Sequence, residues 1–309
     1  MQVLSQLITQ IAVMFLYMLA GFVLFNGKKI TKEGSASMAA CLVWLIIPIV
    51  VVKSFCVAPD PDRIAGLLWS IAATVAVQAL SIFLSRVVFK NRPIDNIACA
   101  FSNAGFIGIP LVSAAIGSDA VFYIAFYVAT LNILQWGYGS AVLTESKFKL
   151  DKKTLLHPLT LGLVLGLILF FTGLGAKVPP LLMTTMNGIS GLSAPLAMLV
   201  MGVYLAQADL KSLWNDKYLY ILSAVRLLVI PVLTLALLFG LYLLIPALSA
   251  KIVLTLLITA IAPAGANVAV YAQLLGKDYV YACKTVVLST LLSLVTMPLI
   301  VLLAQTIIH

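Results

Sequence analysis

The sequence predicts an all-α polytopic membrane protein, with ten transmembrane helices as two inverted five-helix repeats and crossed, broken helices 4 and 9. Three observations lead there: the scarcity of charge, the length of the charge-free windows, and prolines recurring at matched places in the two halves. Of 309 residues, 63% are hydrophobic and 9% charged, with a mean hydropathy of +1.15. A soluble domain carries about 25% charged residues, so a water-soluble enzyme is excluded. Ten windows hold no Asp, Glu, Lys or Arg: 1–27, 34–52, 64–85, 96–118, 120–144, 154–176, 178–208, 227–250, 252–276 and 285–309. The shortest has 19 residues, and crossing a hydrocarbon core takes about 20 residues in a helix. No long hydrophilic stretch is left for a soluble domain.

The first window is too long, and lacks the basic leader, to be a cleaved signal peptide; it reads as the first helix of the mature protein. The net charge of +9 is a topology signal rather than a nucleic-acid-binding surface. With the amino terminus outside, the cytoplasmic loops hold Lys28, Lys29, Lys32, Arg86, Lys90, Arg92, Lys147, Lys149, Lys152, Lys153, Lys211, Lys217, Lys277 and Lys284. The outer loops hold only Arg63, Lys177 and Lys251, fourteen against three. Cationic loops stay in the cytoplasm, so both termini are expected outside the plasma or inner membrane. Cys41, Cys56, Cys99 and Cys283 show no metal-ligand spacing and read as buried small hydrophobes.

The repeat is read from prolines. Pro48 in span 2 matches Pro195 in span 7, 147 residues on, and Pro110 in span 4 matches Pro263 in span 9, 153 residues on. The most basic loop, Glu145 to Lys153, falls where a boundary between 1–150 and 151–309 would lie. Five spans per half is an odd number, so the second half must be inverted. Inverted repeats with paired interrupted helices point to a secondary transporter, although proline is also common in membrane helices.

Spans 4 and 9 carry the interruption. Asn103, Gly105, Gly108 and Pro110 sit mid-span in one; Pro263, Gly265 and Asn267 sit mid-span in the other. Proline removes a donor and clashes with the preceding turn, and such breaks survive in a membrane only inside protein or at a wet cavity. Pro110 and Pro263 suit the first position of a second half-helix. The new amino termini would then bring a partial positive charge to mid-membrane, where an anion binds without a cationic side chain. The carbonyl ends of the first halves would suit a sodium ion. The alternative is a pair of kinks that only shape packing.

None of the ten acids lies mid-span, which argues against cation/proton exchange on buried carboxylates. Two cations intrude. Lys53 follows Pro48 and lies near the outer end, where it can snorkel; Arg226 is deeper, and reads as a cytoplasmic anchor or partner of a loop acid before a substrate contact. Gln78, Asn132, Gln135, Asn187, Gln207 and Gln273 are further polar residues within spans, and such amides usually join helices. Asn132 and Gln135, on the span that also carries Trp136 and Tyr127, form with Lys53 and Arg226 a second tier of candidate site residues. Gly162 and Gly166 permit close helix contact. His157 and His309 lie at span ends, Gly139-Ser140 reads as packing, and no catalytic or metal motif is visible.

The run Asn103-Ala-Gly-Phe-Ile-Gly-Ile-Pro-Leu resembles the Asn-x-x-x-x-Gly-x-Pro-Leu signature of the auxin efflux carrier family. Ala262-Pro-Ala-Gly-Ala-Asn267, followed by Tyr271-Ala-Gln, is similar to that family's second crossover helix. Arg226 with Pro231, and Thr296-Met-Pro298-Leu, extend the likeness over essentially the whole chain. The long central cytoplasmic loop of many plant members is missing, so the chain is closer to the compact bacterial ones. The resemblance implies a fold related to bile-acid symporters and sodium/proton antiporters, with a scaffold of helices 1, 2, 6 and 7 and a transport domain of helices 3–5 and 8–10. It maps crossover residues onto Asn103, Gly108, Ile109, Pro110, Pro263, Gly265 and Asn267. The implied cargo is a small organic anion, from malonate or malate to an auxin-like acid, moved by elevator-type or rocking alternating access, and a homodimer is compatible. No cofactor is expected; sodium or proton coupling stays open. The alternatives are a sodium-coupled symporter of bile-acid-symporter type and a ligand sensor that transports nothing.

Overall fold

The computed structural model of the protein describes residues 2–147, 156–207 and 216–308. Lys149, Lys152, Lys153, Lys211 and His309 lie outside them, as does most of the basic loop at the expected repeat boundary. The described residues form helices α1 (Gln2–Asn26), α2 (Lys32–Ser54), α3 (Pro61–Val88), α4 (Pro93–Ala100), α5 (Ala104–Ala115) and α6 (Ser118–Thr144), followed by α7 (Pro158–Phe171), α8 (Pro180–Gln207), α9 (Lys217–Leu244), α10 (Ala250–Ala260), α11 (Asn267–Leu274) and α12 (Tyr279–Ile307). Among them, seven helices are long and apolar enough to cross a membrane, and α5, α7 and α10 are shorter apolar helices. The fourth expected span is thus α4 plus α5, and the ninth is α10 plus α11.

Acids missing from the spans reappear at helix starts. Asp60 accepts from the Arg63 amide at 2.8 Å ahead of α3, Asp216 from Tyr218 at 2.9 Å ahead of α9, and Asp278 from Tyr281 at 2.9 Å ahead of α12. Each satisfies a backbone donor that the first turn leaves without a partner. Asp95, also clear of mid-span, is the exception in burial. It is completely buried in the first turn of α4, where it pairs with Arg92 and accepts from the Tyr281 hydroxyl at 2.7 Å. The Arg92 guanidinium also lies 3.7 Å from the centre of the Tyr218 ring, so this cluster ties α4 to α9 and α12 rather than facing the membrane centre.

Small residues let the helices approach closely. A Cβ on Gly202 of α8 would come within 1.9 Å of the Met18 carbonyl of α1, and one on Gly21 within 2.2 Å of the Leu199 carbonyl. The expected contact face of α7 is real: Gly162 lies against Pro48, and a Cβ on Gly166 would be 2.6 Å from the Phe55 ring. A π-turn precedes three of the prolines, at Leu42–Ile46 before Pro48, Ala104–Gly108 before Pro110 and Val225–Val229 before Pro231. The wider turn makes room for the proline ring, which would clash with the carbonyl four residues earlier in a regular helix. The helices therefore continue through these prolines. A break needs something more, and spans 4 and 9 show what it is.

Candidate functional site

At Phe101 the chain leaves α4 for an extended conformation (φ −113°, ψ 120°). After α10 it does the same, since Ala262 precedes Pro263 and a residue before proline disfavours the helical region. The two extended segments cross and pair antiparallel. Ser102 faces Ala264, the Asn103 amide donates to the Pro263 carbonyl at 2.8 Å, and the Gly265 amide donates to the Phe101 carbonyl at 3.0 Å. The Ala264 amide finds the Ser289 hydroxyl of α12 at 3.2 Å. The broken backbone is satisfied inside the protein, as a hydrocarbon surrounding requires.

This geometry corrects the expected role of the prolines. Neither begins a half-helix: α5 starts at Ala104, six residues before Pro110, and α11 starts at Asn267, four residues after Pro263. Pro110 is absorbed by its π-turn, while the carbonyl of Pro263 is spent on the crossing itself.

The carboxyl ends of α4 and α10 meet on Arg226. Its side chain is fully buried and donates to the carbonyls of Cys99 at 3.1 Å, Ala260 at 2.5 Å and Ala262 at 2.7 and 3.1 Å. Each helix end carries roughly half a negative charge, so one guanidinium balances two ends. Arg226 is thus neither a cytoplasmic anchor nor a partner of a loop acid. The carbonyls that suited a sodium ion in the sequence already accept from a protein cation.

The amino ends of α5 and α11 are treated differently. The first amides of a helix have no carbonyl of their own helix to bond, and those of α5 begin beside Asn103. A cavity of about 120 Å³ lies there, lined by Asn103, Gly265 and Asn267 together with Asn132, Gln135 and Tyr271. Asn103 is 3% exposed, and its amide nitrogen reaches nothing stronger than the Met201 sulfur at 3.9 Å. The adjoining Ser102 hydroxyl is buried beside the Tyr127 side chain. Asn267 donates to the Gln135 side-chain oxygen at 3.2 Å, and Asn132 to the Val128 carbonyl of its own helix at 2.8 Å. Gly265 packs tightly, because a Cβ there would stand 3.1 Å from the Gln135 amide nitrogen and 3.3 Å from the Ser102 carbonyl, close enough that a neighbour would have to give by a few tenths of an ångström. Spare donors at Asn103 and at the amino end of α5, set in an otherwise largely apolar lining that includes Phe106, Leu131 and Val270, are what an anion needs.

The sequence-predicted residues therefore divide. Asn103, Gly265 and Asn267 line the cavity with the second-tier Asn132 and Gln135; Gly108, Ile109, Pro110 and Pro263 do not. Gly108 lets α5 pack on α10, since a Cβ would lie 3.3 Å from the Thr259 methyl, and Ile109 is fully buried. Lys53 does not line the cavity either and sits in the last turn of α2, where a cation complements the helix end. Sequence reasoning missed Ser102, although it adjoins Asn103, and His157, which was read only as a span end. His157 lines the cavity, and its Nδ1 accepts from the Leu159 amide at 3.3 Å.

Known proteins resemble this chain over most of its length. The family model described as "Membrane transport protein" matches residues 6–301. A protein of Rhizobium meliloti (strain 1021) named "Putative malonate transporter" is 28% identical over 272 residues, covering 82% of each chain. The matched segment contains both broken spans, Arg226 and every residue of the central cavity. The chain is thus a multi-pass membrane transporter rather than an enzyme, and it belongs to the membrane transport protein family, the auxin efflux carriers that its fourth span resembles.

Proposed function

We propose that the protein is a secondary transporter of small organic carboxylates, with the anion held at the amino ends of α5 and α11 by backbone amides and by Asn103 and Asn267. The observation that carries this reading is the unequal treatment of the crossing: its carbonyl side is closed by Arg226, and its amide side opens on a cavity that holds the Asn103 and Asn267 side chains and no acid. A cavity of about 120 Å³ favours a compact acid of the malonate or malate kind over an indole-sized one. The name of the Rhizobium relative supports the same class.

In this reading the ten spans are two inverted five-helix repeats with both termini outside. The scaffold is α1, α2, α7 and α8; α3–α6 and α9–α12 move against it, exposing the cavity alternately. Close packing of α1 on α8 and of α2 on α7 supports that division. Arg226 disfavours the sodium-coupled alternative, since the crossing carbonyls have their cation already. Uptake of labelled malonate into proteoliposomes tests the function. Wild-type protein should accumulate it while Asn103→Ala and Asn267→Ala, still folded, should not; normal uptake by both variants would remove the site.

A further inference from the structure

A second, larger cavity of about 550 Å³ opens on the side of the 27–31 and 275–278 connections. Its walls come from the start of α2, the end of α8, and α11 with the first turns of α12, so it lies between the helices assigned above to scaffold and to moving domain. It shares Ala266 and Val270 with the cavity at the crossing. Its polar lining includes Lys32, Gln207, Gln273 and Lys284, with Glu33 as its one acid. Lys284 is half-buried one turn into α12, and neither lysine belongs to an ion pair among the described residues. Two lysines against the single carboxylate of Glu33, which like Lys32 is exposed, leave the lining net positive, with the half-buried Lys284 as its deeper charge.

We propose that this cavity is the cytoplasmic access vestibule of the crossing site, and that Lys284, assisted by Lys32, selects for anionic substrate there. The proposal rests on the function proposed above and adds the residues that set charge preference. Both lysines belong to the cationic loops assigned to the cytoplasm, so the vestibule faces the cell interior. An anion entering passes Lys284 and Gln273 before reaching Ala266 and Asn267, with the attraction growing in proportion to its charge.

That proportionality makes the test specific. Lys284→Gln should raise KM about 3-fold for a monocarboxylate and about 10-fold for a dicarboxylate of similar size, the square of the smaller factor, with kcat unchanged and Lys284→Arg restoring both. Equal shifts for the two acids, or none, would overturn the proposal, because a lysine that only packs cannot count substrate charge. A second readout needs no transport. Cys283 also lines the vestibule. In a Cys41→Ser/Cys56→Ser background, an anionic thiosulfonate should modify Cys283 faster, relative to a cationic one, than it does when Lys284→Gln is added, by at least about 3-fold. An unchanged ratio, or an unreactive Cys283, would overturn the vestibule. A changed ratio in a protein that moves no carboxylate would keep the charged vestibule and refute the proposed function instead.

Discussion

The two sides of the helix crossing face the same physical problem and solve it in opposite ways. On the carboxyl side, the ends of α4 and α10 bring two partial negative charges together in the bundle, and Arg226 neutralises them with four hydrogen bonds at 2.5–3.1 Å. On the amino side, α5 and α11 bring two partial positive charges to the cavity at Asn103 and Asn267, and no acid lines it. The protein thus carries its own cation and lacks its own anion. On the function proposed above, that asymmetry makes an anion the partner that comes from outside.

Breaking the closed side should have the largest effect. Arg226→Met leaves the carbonyls of Cys99, Ala260 and Ala262 buried without donors, at about 1–3 kcal/mol each. The sum is comparable with the whole stability of a typical domain, so thermal unfolding of purified protein followed by size-exclusion chromatography should fall by about 10 °C or more. Arg226→Lys keeps the charge with fewer directed donors and should fall between the two. The open side should respond in function and not in stability. Asn103→Ala or Asn267→Ala removes a hydrogen bond to a charged ligand worth about 1.5–3 kcal/mol, so initial uptake at low malonate should drop at least 10-fold with little change in unfolding temperature. Gly265→Ala tests the shape of the same side: the new methyl presses on the Gln135 amide, and KM should rise about 3- to 10-fold. The smallest effect is expected from exchanging external sodium for potassium, which should change uptake less than about 2-fold because Arg226 fills the carbonyl cluster. A sodium requirement would contradict the asymmetry directly.

Much of this was legible in the sequence. Charge-free windows pointed to apolar helices, seven of which are long enough to cross a membrane among the described residues, and glycine, proline and asparagine at mid-span marked the two interruptions, because a break in hydrocarbon leaves few residue choices. Asn103, Gly265 and Asn267 were found that way. The position of the break was not. Proline pairs with a π-turn in α2, α5 and α9 and does not break them, so Pro110 misplaced the half-helix start by six residues; extended backbone at Phe101–Asn103 carries no such signature. The role of Arg226 was also hidden. Its acceptors are backbone carbonyls 34 to 127 residues away, and any residue type supplies a carbonyl. The pairing of Asp95 was hidden for a related reason, since its partner Tyr281 arrives from 186 residues away.

Calorimetric titration of detergent-solubilised protein with malonate in sodium-free buffer puts the open pole to trial most directly. Saturable binding should appear in the wild type and vanish in the Asn103→Ala/Asn267→Ala double variant, while Lys53→Ala leaves it intact. Undiminished binding by the double variant, or binding only once sodium is added, would contradict the view that the crossing supplies its own cation and recruits only an anion.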